Sequence, residues 1–282
     1  MSKRQAQANN KRILLEVQMR DLNKAHWEEV SKAHDRNHFY LTDRVLKGGL
    51  SLSKIECREI GNINNLNGVH LQCGIGLDTV SLQRLGASMT GIDFARSAIA
   101  SACSIAERCA LPCLFVVADV LERNQLPKRL YDFVYSSHGV LRWIPNLNKW
   151  TRNAAALIRS GGFLYLFEIH PLVYRLTNVV GASVHLTGDY FYERPQIKEI
   201  SGTHTGPFNG AETDTVVHTN WTLGKIVTSI VSAGLELEFL HEHDCCSYSR
   251  KDLISRRSGT LWRLSAESSP IPLSFSLRAR KP

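Results

Sequence analysis

The sequence predicts an α/β protein built on a mostly parallel sheet with helices on both faces. Three observations predict it. Residues 69–94 (VHLQCGIGLDTVSLQRLGASMTGIDF) read as a buried strand, a glycine turn, a helix and a second strand. The same alternation of short apolar runs and helical periods continues to residue 167. Acidic residues, Asp93 and Asp119, stand at strand ends, where ligands bind in sheets of this kind.

The bulk numbers agree with one ordinary globular chain. Of 282 residues, 43% are hydrophobic and 21% charged. No apolar run approaches the ~20 residues of a membrane span, and the basic start MSKRQAQANNKR leads into an amphipathic stretch rather than a secretory signal. Seven cysteines without a C-x-x-C spacing point to thiols in a reducing cytoplasm. The net charge of +8 sits at the ends: residues 1–24 carry +4 and residues 250–282 carry +6, which leaves −2 for the middle. A phosphate-tracking groove through the centre is therefore not expected.

Taken in order, residues 13–30 carry apolar positions at Ile13, Leu14, Val17, Leu22, Ala25, Trp27 and Val30, consistent with one or two helices. His26, Trp27, His34, His38, Phe39 and Tyr40 form an aromatic cluster that either packs on the sheet or roofs a ligand. Residues 53–60 read as a helix with Ser53 and Glu56 as a capping box. In the turn Gly74-Ile75-Gly76, glycine permits a close backbone approach to a ligand. Thr79 stands where a dinucleotide fingerprint wants its third glycine, and no Gly-Lys-Ser/Thr follows, so an adenosine ligand without a pyrophosphate fits better. Gly86 is a helix stop. Residues 95–109 are helical, 114–117 a strand, 131–136 the fourth strand and 147–158 a helix ended by Ser160-Gly161-Gly162. The fifth strand, 163–167, turns polar at Glu168-Ile169-His170. Residues 171–220 have no long period and read as an insertion with a short hairpin around 189–194. A helix over 221–233, a strand over 235–241, a basic serine-rich loop over 249–270 and a last strand over 272–280 close the chain. His241 and His243 are two apart on a strand, but no third ligand is identifiable, so no metal is expected.

The stretch 69–94 resembles the first two motifs of class I S-adenosylmethionine-dependent methyltransferases. His70 stands where that family usually has an acid, and Gln72 where it has its first glycine. A narrower likeness is to a bacterial subfamily with the form L-H-L-Q-C-H-F-G-x-D-T, here VHLQCGIGLDT, with Gly74 in place of its usual His. The ending LSFSLRARKP is similar to the subfamily's L-x-F-S-L-R-A-x-K-P. The likeness covers most of residues 22–282 and is weak in 171–217.

The resemblance implies a Rossmann-like, seven-stranded, mostly parallel sheet with the last strand antiparallel. It implies one domain, with residues 1–60 as a helical lid, 61–170 as the cofactor-binding core, 171–220 as a substrate cap and 221–282 as the C-terminal half of the sheet. S-adenosyl-L-methionine would be the cofactor, held by Gln72, Cys73, Gly74, Gly76, Asp93, Phe94, Asp119, Val120, Ser136 and Ser137. In this reading Asp93 accepts the ribose hydroxyls and Asp119 the adenine amino group. His138, Glu168 and His170 are the candidate catalytic groups, with Glu168 and His170 projecting together if their strand persists. Trp27, Tyr40, Tyr190, His218 and Trp221 are the expected substrate wall. The long aromatic insertion and near-neutral middle point to a small-molecule acceptor such as a specialised metabolite, methylated on N, O or C, with no nucleic-acid or membrane partner. Self-association would run through the N-terminal helices. RNA or protein methylation, or a non-catalytic adenosine-ligand module, are the alternatives.

Overall fold

The structure is a computed structural model that describes residues 3–34, 41–180, 183–200, 202–203, 206–207, 214–247, 249, 254–264 and 270–282. Helices α1 (Lys3–His34), α2 (Thr42–Leu46) and α3 (Lys54–Ile60) precede the sheet. Then follow β1 (Asn67–Leu71), α4 (Leu77–Arg84), β2 (Ser88–Asp93), α5 (Arg96–Arg108), β3 (Leu114–Val117) and β4 (Tyr131–Ser137). The chain continues through α6 (Leu147–Leu157), β5 (Ile158–Ile169), α7 (Leu223–Ser232), β6 (Glu236–His243) and β7 (Ser274–Arg280). The order across the sheet is β3-β2-β1-β4-β5-β7-β6. Strands β1 to β5 pair in parallel, and β7 runs antiparallel to both β5 and β6. The expected seven-stranded, mostly parallel sheet is therefore the observed one. Strand order reverses between β1 and β4, which opens a crevice beyond their carboxyl ends.

Both faces of the sheet are buried, as near-continuous apolar strands require. On one face Val69, Val134, Leu164 and Leu277 pack against Trp150 of α6 and Ile226 and Ile230 of α7. On the other, Met89, Phe133, Tyr135, Tyr165 and Phe167 pack against Ile60 of α3 and Leu82 of α4. Ser53 and Glu56 form the expected capping box at the start of α3. Among the described residues, no helix is long and apolar enough to cross a membrane.

Three elements differ from the sequence reading. Gly161 and Gly162 do not end a helix: α6 passes directly into β5, and the glycines lie inside the strand. A Cβ at Gly162 would sit 2.5 Å from the Asp132 carbonyl of the neighbouring strand, so close strand packing asks for glycine there. In the insertion, the stretch 189–194 connects strands rather than forming a hairpin. Leu176–Val180 pairs with Ser183–Leu186, and Gln196–Ile200 pairs with Asp214–His218. Asp189 accepts from the Phe191 amide at 2.8 Å and turns the chain between the two ribbons. Within 249–270, Ile254–Ser258 and Leu261–Leu264 form a hairpin about Gly259, joined by Cys245–Cys246.

Helix α1 lies over the carboxyl end of the sheet and is tied there by buried polar contacts. Asn23 exchanges two hydrogen bonds with the Val217 backbone, each 2.8 Å. His26 meets Asp214 at 2.8 Å. Glu28 accepts from the Arg96 and Ser97 amides at 2.8 and 2.9 Å, which caps α5 from another helix.

Candidate active site

A cavity of about 750 Å³ fills the crevice between the carboxyl ends of the strands, helix α1 and the insertion. Small-molecule sites fall in the range of about 300–1,000 Å³. One end is formed by the glycine turn. Gly74, at φ +52°, lines the cavity and donates its amide to Asp93 at 2.9 Å. Gly76, at φ +79°, caps α4 behind it. A Cβ there would meet Ala102 at 2.7 Å and Phe115 at 2.9 Å, so Gly76 allows the turn to pack on α5 and β3 and does not itself line the cavity.

Asp93 accepts from the Gly74 and Ala95 amides, one on each oxygen. Burial pushes its carboxyl up to about 6 against those amide bonds. Each oxygen keeps a second lone pair for a ligand hydroxyl. Asp119, just past the end of β3, accepts from the Leu121 amide through Oδ1 at 2.8 Å. Its buried Oδ2 has no hydrogen-bond partner, with the Arg20 guanidinium 3.7 Å away. Burial raises this carboxyl too. Gln72, Cys73, Phe94, Val120 and Ser137 line the cavity. Gln72 is also braced, taking a bond from Trp150 at 2.8 Å and giving one to the Val140 carbonyl at 3.2 Å. Ser136 does not reach the cavity: it is fully buried, with Oγ 3.4 Å from the Leu71 carbonyl.

Beside this end lies a charged group that the sequence reading missed. His138, at φ +62° after β4, has Nε2 3.3 Å from Glu56 and 3.8 Å from Asp78. Tyr135 donates to Glu56 at 2.6 Å, and Ser51 and Ser137 donate to Asp78 at 2.5 and 2.9 Å. Burial alone would lower the His138 pKa; Glu56, with Asp78 and Glu168 behind it, raises it to about 9. At neutral pH His138 is thus a proton-bearing donor, and the expected role as a base does not suit it. The ligand atoms of Glu56, Asp78 and His138 lie within 4.8 Å of one another. Neighbouring His70 is neutral, pushed down to about 4 mainly by burial, and its Nε2 has no partner.

The other two catalytic candidates do not face the cavity. Glu168 is buried beneath the loop after β4, where its carboxylate accepts from the Gly139, Leu141 and Ile169 amides. It holds that loop in place. His170 lies beyond the end of β5, so the two side chains do not share one strand face. Its Nδ1 accepts from the Leu172 amide at 3.2 Å and its Nε2 meets Glu242 at 3.0 Å. Of the expected histidine pair, His241 meets Glu59 at 2.8 Å and His243 meets Ser276 at 2.9 Å.

The far end of the cavity is aromatic. Trp27 and Trp143 meet edge to face at 5.1 Å, and Trp143 meets His218 at 4.5 Å; all three line the cavity with Tyr174 and Trp262. Of the five residues expected as a substrate wall, Trp27 and His218 line the cavity. Tyr190 and Trp221 are not: Tyr190 accepts from the Leu223 amide, and Trp221 donates to the Ile144 carbonyl at 3.0 Å while packing on the core. Tyr40 lies outside the described residues. Arg20, Asn23 and Arg142 also line the cavity and were not anticipated there, whereas His26 lines it from the aromatic cluster expected to roof a ligand or pack on the sheet. The one sequence signal for Arg142 is its place as a lone charge in the apolar run VLRWIP.

The sheet order and the crevice define the class of the fold, and known proteins match it. A family model described as "Methyltransferase domain" matches residues 69–166. A solved structure described as an S-adenosylmethionine-dependent methyltransferase from Listeria monocytogenes is 16% identical, with a TM-score of 0.59, covering 80% of this chain and 94% of that one. A second, from Mesorhizobium loti, is 21% identical with a TM-score of 0.57 and covers 84% and 96%. A third, described as the glycopeptide N-methyltransferase MtfA complexed with S-adenosyl-L-methionine, is 14% identical with a TM-score of 0.50 and covers 80% and 90%. Among curated protein sequences none matches the chain. The family model over residues 69–166 and these solved structures show that the chain shares the fold of such methyltransferases.

Proposed function

We propose that the protein transfers a methyl group from S-adenosylmethionine to a small molecule, such as a specialised metabolite. The carrying observation is the cavity itself: unmet acceptor capacity at Asp93 and Asp119 at one end, aromatic walls at the other. The residues fit the cofactor. The Asp119 Oδ2 acceptor suits the adenine amino group, and Asp93 suits the ribose hydroxyls. Phe94, Val120 and Leu121 provide apolar walls for the ring. The first motif's likeness to the L-H-L-Q-C-H-F-G-x-D-T subfamily supports the same reading.

Bound S-adenosylmethionine supplies an electrophilic methyl group. The chain's own part is to align the acceptor and exclude water. Helix α1 and the insertion close the crevice, and Glu168 fixes the loop that carries His138 to its edge. His138 carries a proton at neutral pH, so it donates to an electron-rich atom rather than withdrawing a proton. An amine acceptor, unprotonated in an apolar chamber, needs only that positioning. The near-neutral middle of the chain and the aromatic chamber favour a small molecule over RNA.

Incubation of the protein with methyl-labelled S-adenosylmethionine and a metabolite extract tests the reading. The expected result is label in a low-molecular-weight product. Label transferred to bulk RNA or to protein, or no transfer to any fraction, contradicts it.

A further inference from the structure

We propose that the acceptor carries an oxyanion, a carboxylate or phosphate, on an apolar planar body, and that His218 and Arg142 bind that oxyanion inside the aromatic end of the cavity. This rests on the methyltransferase reading for the word acceptor, but the geometry that carries it is independent of the cofactor end.

His218 is 7% exposed and lines the cavity. Its Nδ1 lies 2.8 Å from Arg142 Nη2. Guanidinium has donors only, so Nδ1 must accept and Nε2 must carry the hydrogen. That Nε2 is buried and has no hydrogen-bond partner. An unmet buried donor is costly unless a ligand accepts from it.

The surroundings favour a negative acceptor. Lys198 stands on the strand paired with that of His218, opposite Val216, and so shares the face of His218. Burial, then the charges of Arg142 and Arg175, lower the Lys198 pKa. Arg175 Nη2 is buried without a partner. Burial, then Arg142 and Lys198, push His218 down to about 2, so the imidazole stays neutral and its donor stays fixed. Of the acids on this ribbon, Asp214 is turned to His26 at 2.8 Å and Glu199 projects to the opposite face. The fold thus sets Arg142 and Lys198 beside one oriented N–H donor, with Arg175 next to Lys198.

The neighbouring walls set the rest of the acceptor. The Arg142 guanidinium lies over the Tyr174 ring, 4.3 Å from its centroid. Trp143 stands edge-on to His218 at 4.5 Å, and Val173, Ile169 and Trp262 extend the apolar surface. A planar hydrophobic body fits between these walls with its anionic end at Arg142 and His218.

The test uses three probes of one shape: 2-naphthoate, 2-naphthyl phosphate and uncharged 2-naphthamide. Each is titrated into the full chain with and without saturating S-adenosylhomocysteine. The expected result is that at least one anion binds about tenfold or more tighter than the amide, as expected of charge-assisted hydrogen bonds. The two anions distinguish carboxylate from phosphate. The preference should collapse in Arg142→Gln and in His218→Phe and weaken in Lys198→Gln, an exposed position that keeps the test open should either of the others fail to fold. Equal affinity for anion and amide, no binding of any probe, or a preference that survives all three substitutions overturns the proposal. Failure of S-adenosylhomocysteine to bind while the anion preference holds would instead strike the methyltransferase reading alone.

Discussion

Asp93 shows how one buried carboxyl can report on ligand binding. Burial raises its pKa from 3.8 to about 6. The folded chain therefore holds a proton between about pH 4 and 6 that the unfolded chain has released. Its contribution to stability is complete below about 4 and is lost as pH rises through about 6. A ligand that donates hydroxyls to Asp93 favours the ionised form. Affinity for S-adenosylhomocysteine is accordingly expected to rise between pH 5 and 7 and then level off. Asp93→Asn should remove that step and weaken binding at pH 7.5 by about 1.5–3 kcal/mol, the worth of charge-assisted hydrogen bonds. Calorimetric titrations across that pH range check both; an unchanged pH profile in the variant would make Asp93 a purely structural residue. Asp93 and Asp119 were readable in the sequence because each ends a short apolar strand. The Glu56–His138–Asp78 group was not, since its members are brought together across the sheet edge from three separate elements. Glu56 showed only its local role as a capping residue.

At the scale of elements, local chemistry predicted most of what formed, and tertiary contact decided the rest. The β1 turn, the α3 capping box and the strands β1 to β5 follow from turn residues and apolar runs close in sequence. The hairpin over 254–264 did not show, because its strands are rich in Arg and Ser and carry no clear alternation. Glu168 and His170 were expected on one face because a strand was expected to continue; β5 ends at Ile169 and the faces part there. Helix α1 depends on contacts that no local pattern contains. Its Glu28 caps α5, whose own N-cap residue, Ala95, offers no side-chain bond. Glu28→Ala should cost about 0.5–2 kcal/mol of stability, the usual worth of a helix cap. Because Glu28 also fastens the roof of the cavity, cofactor affinity should fall with it. Denaturant midpoints and titrations on the same variant check the pair; a loss of stability with affinity intact would separate α1 from the site.

For the whole molecule, the sheet order β3-β2-β1-β4-β5-β7-β6 places every parallel strand's carboxyl end on one rim. The helix before the sheet and the insertion after β5 both close over that rim, so one cavity gathers residues from Arg20 to Trp262. In the function proposed above, the glycine turn and the acids take the adenosine and the aromatic walls take the acceptor. The most direct test is calorimetric titration of the purified protein with S-adenosylmethionine and with S-adenosylhomocysteine at pH 7.5. Saturable one-site binding of both, weakened in Asp93→Asn, is the predicted result; no heat and no thermal shift with either ligand would contradict the assignment of this cavity.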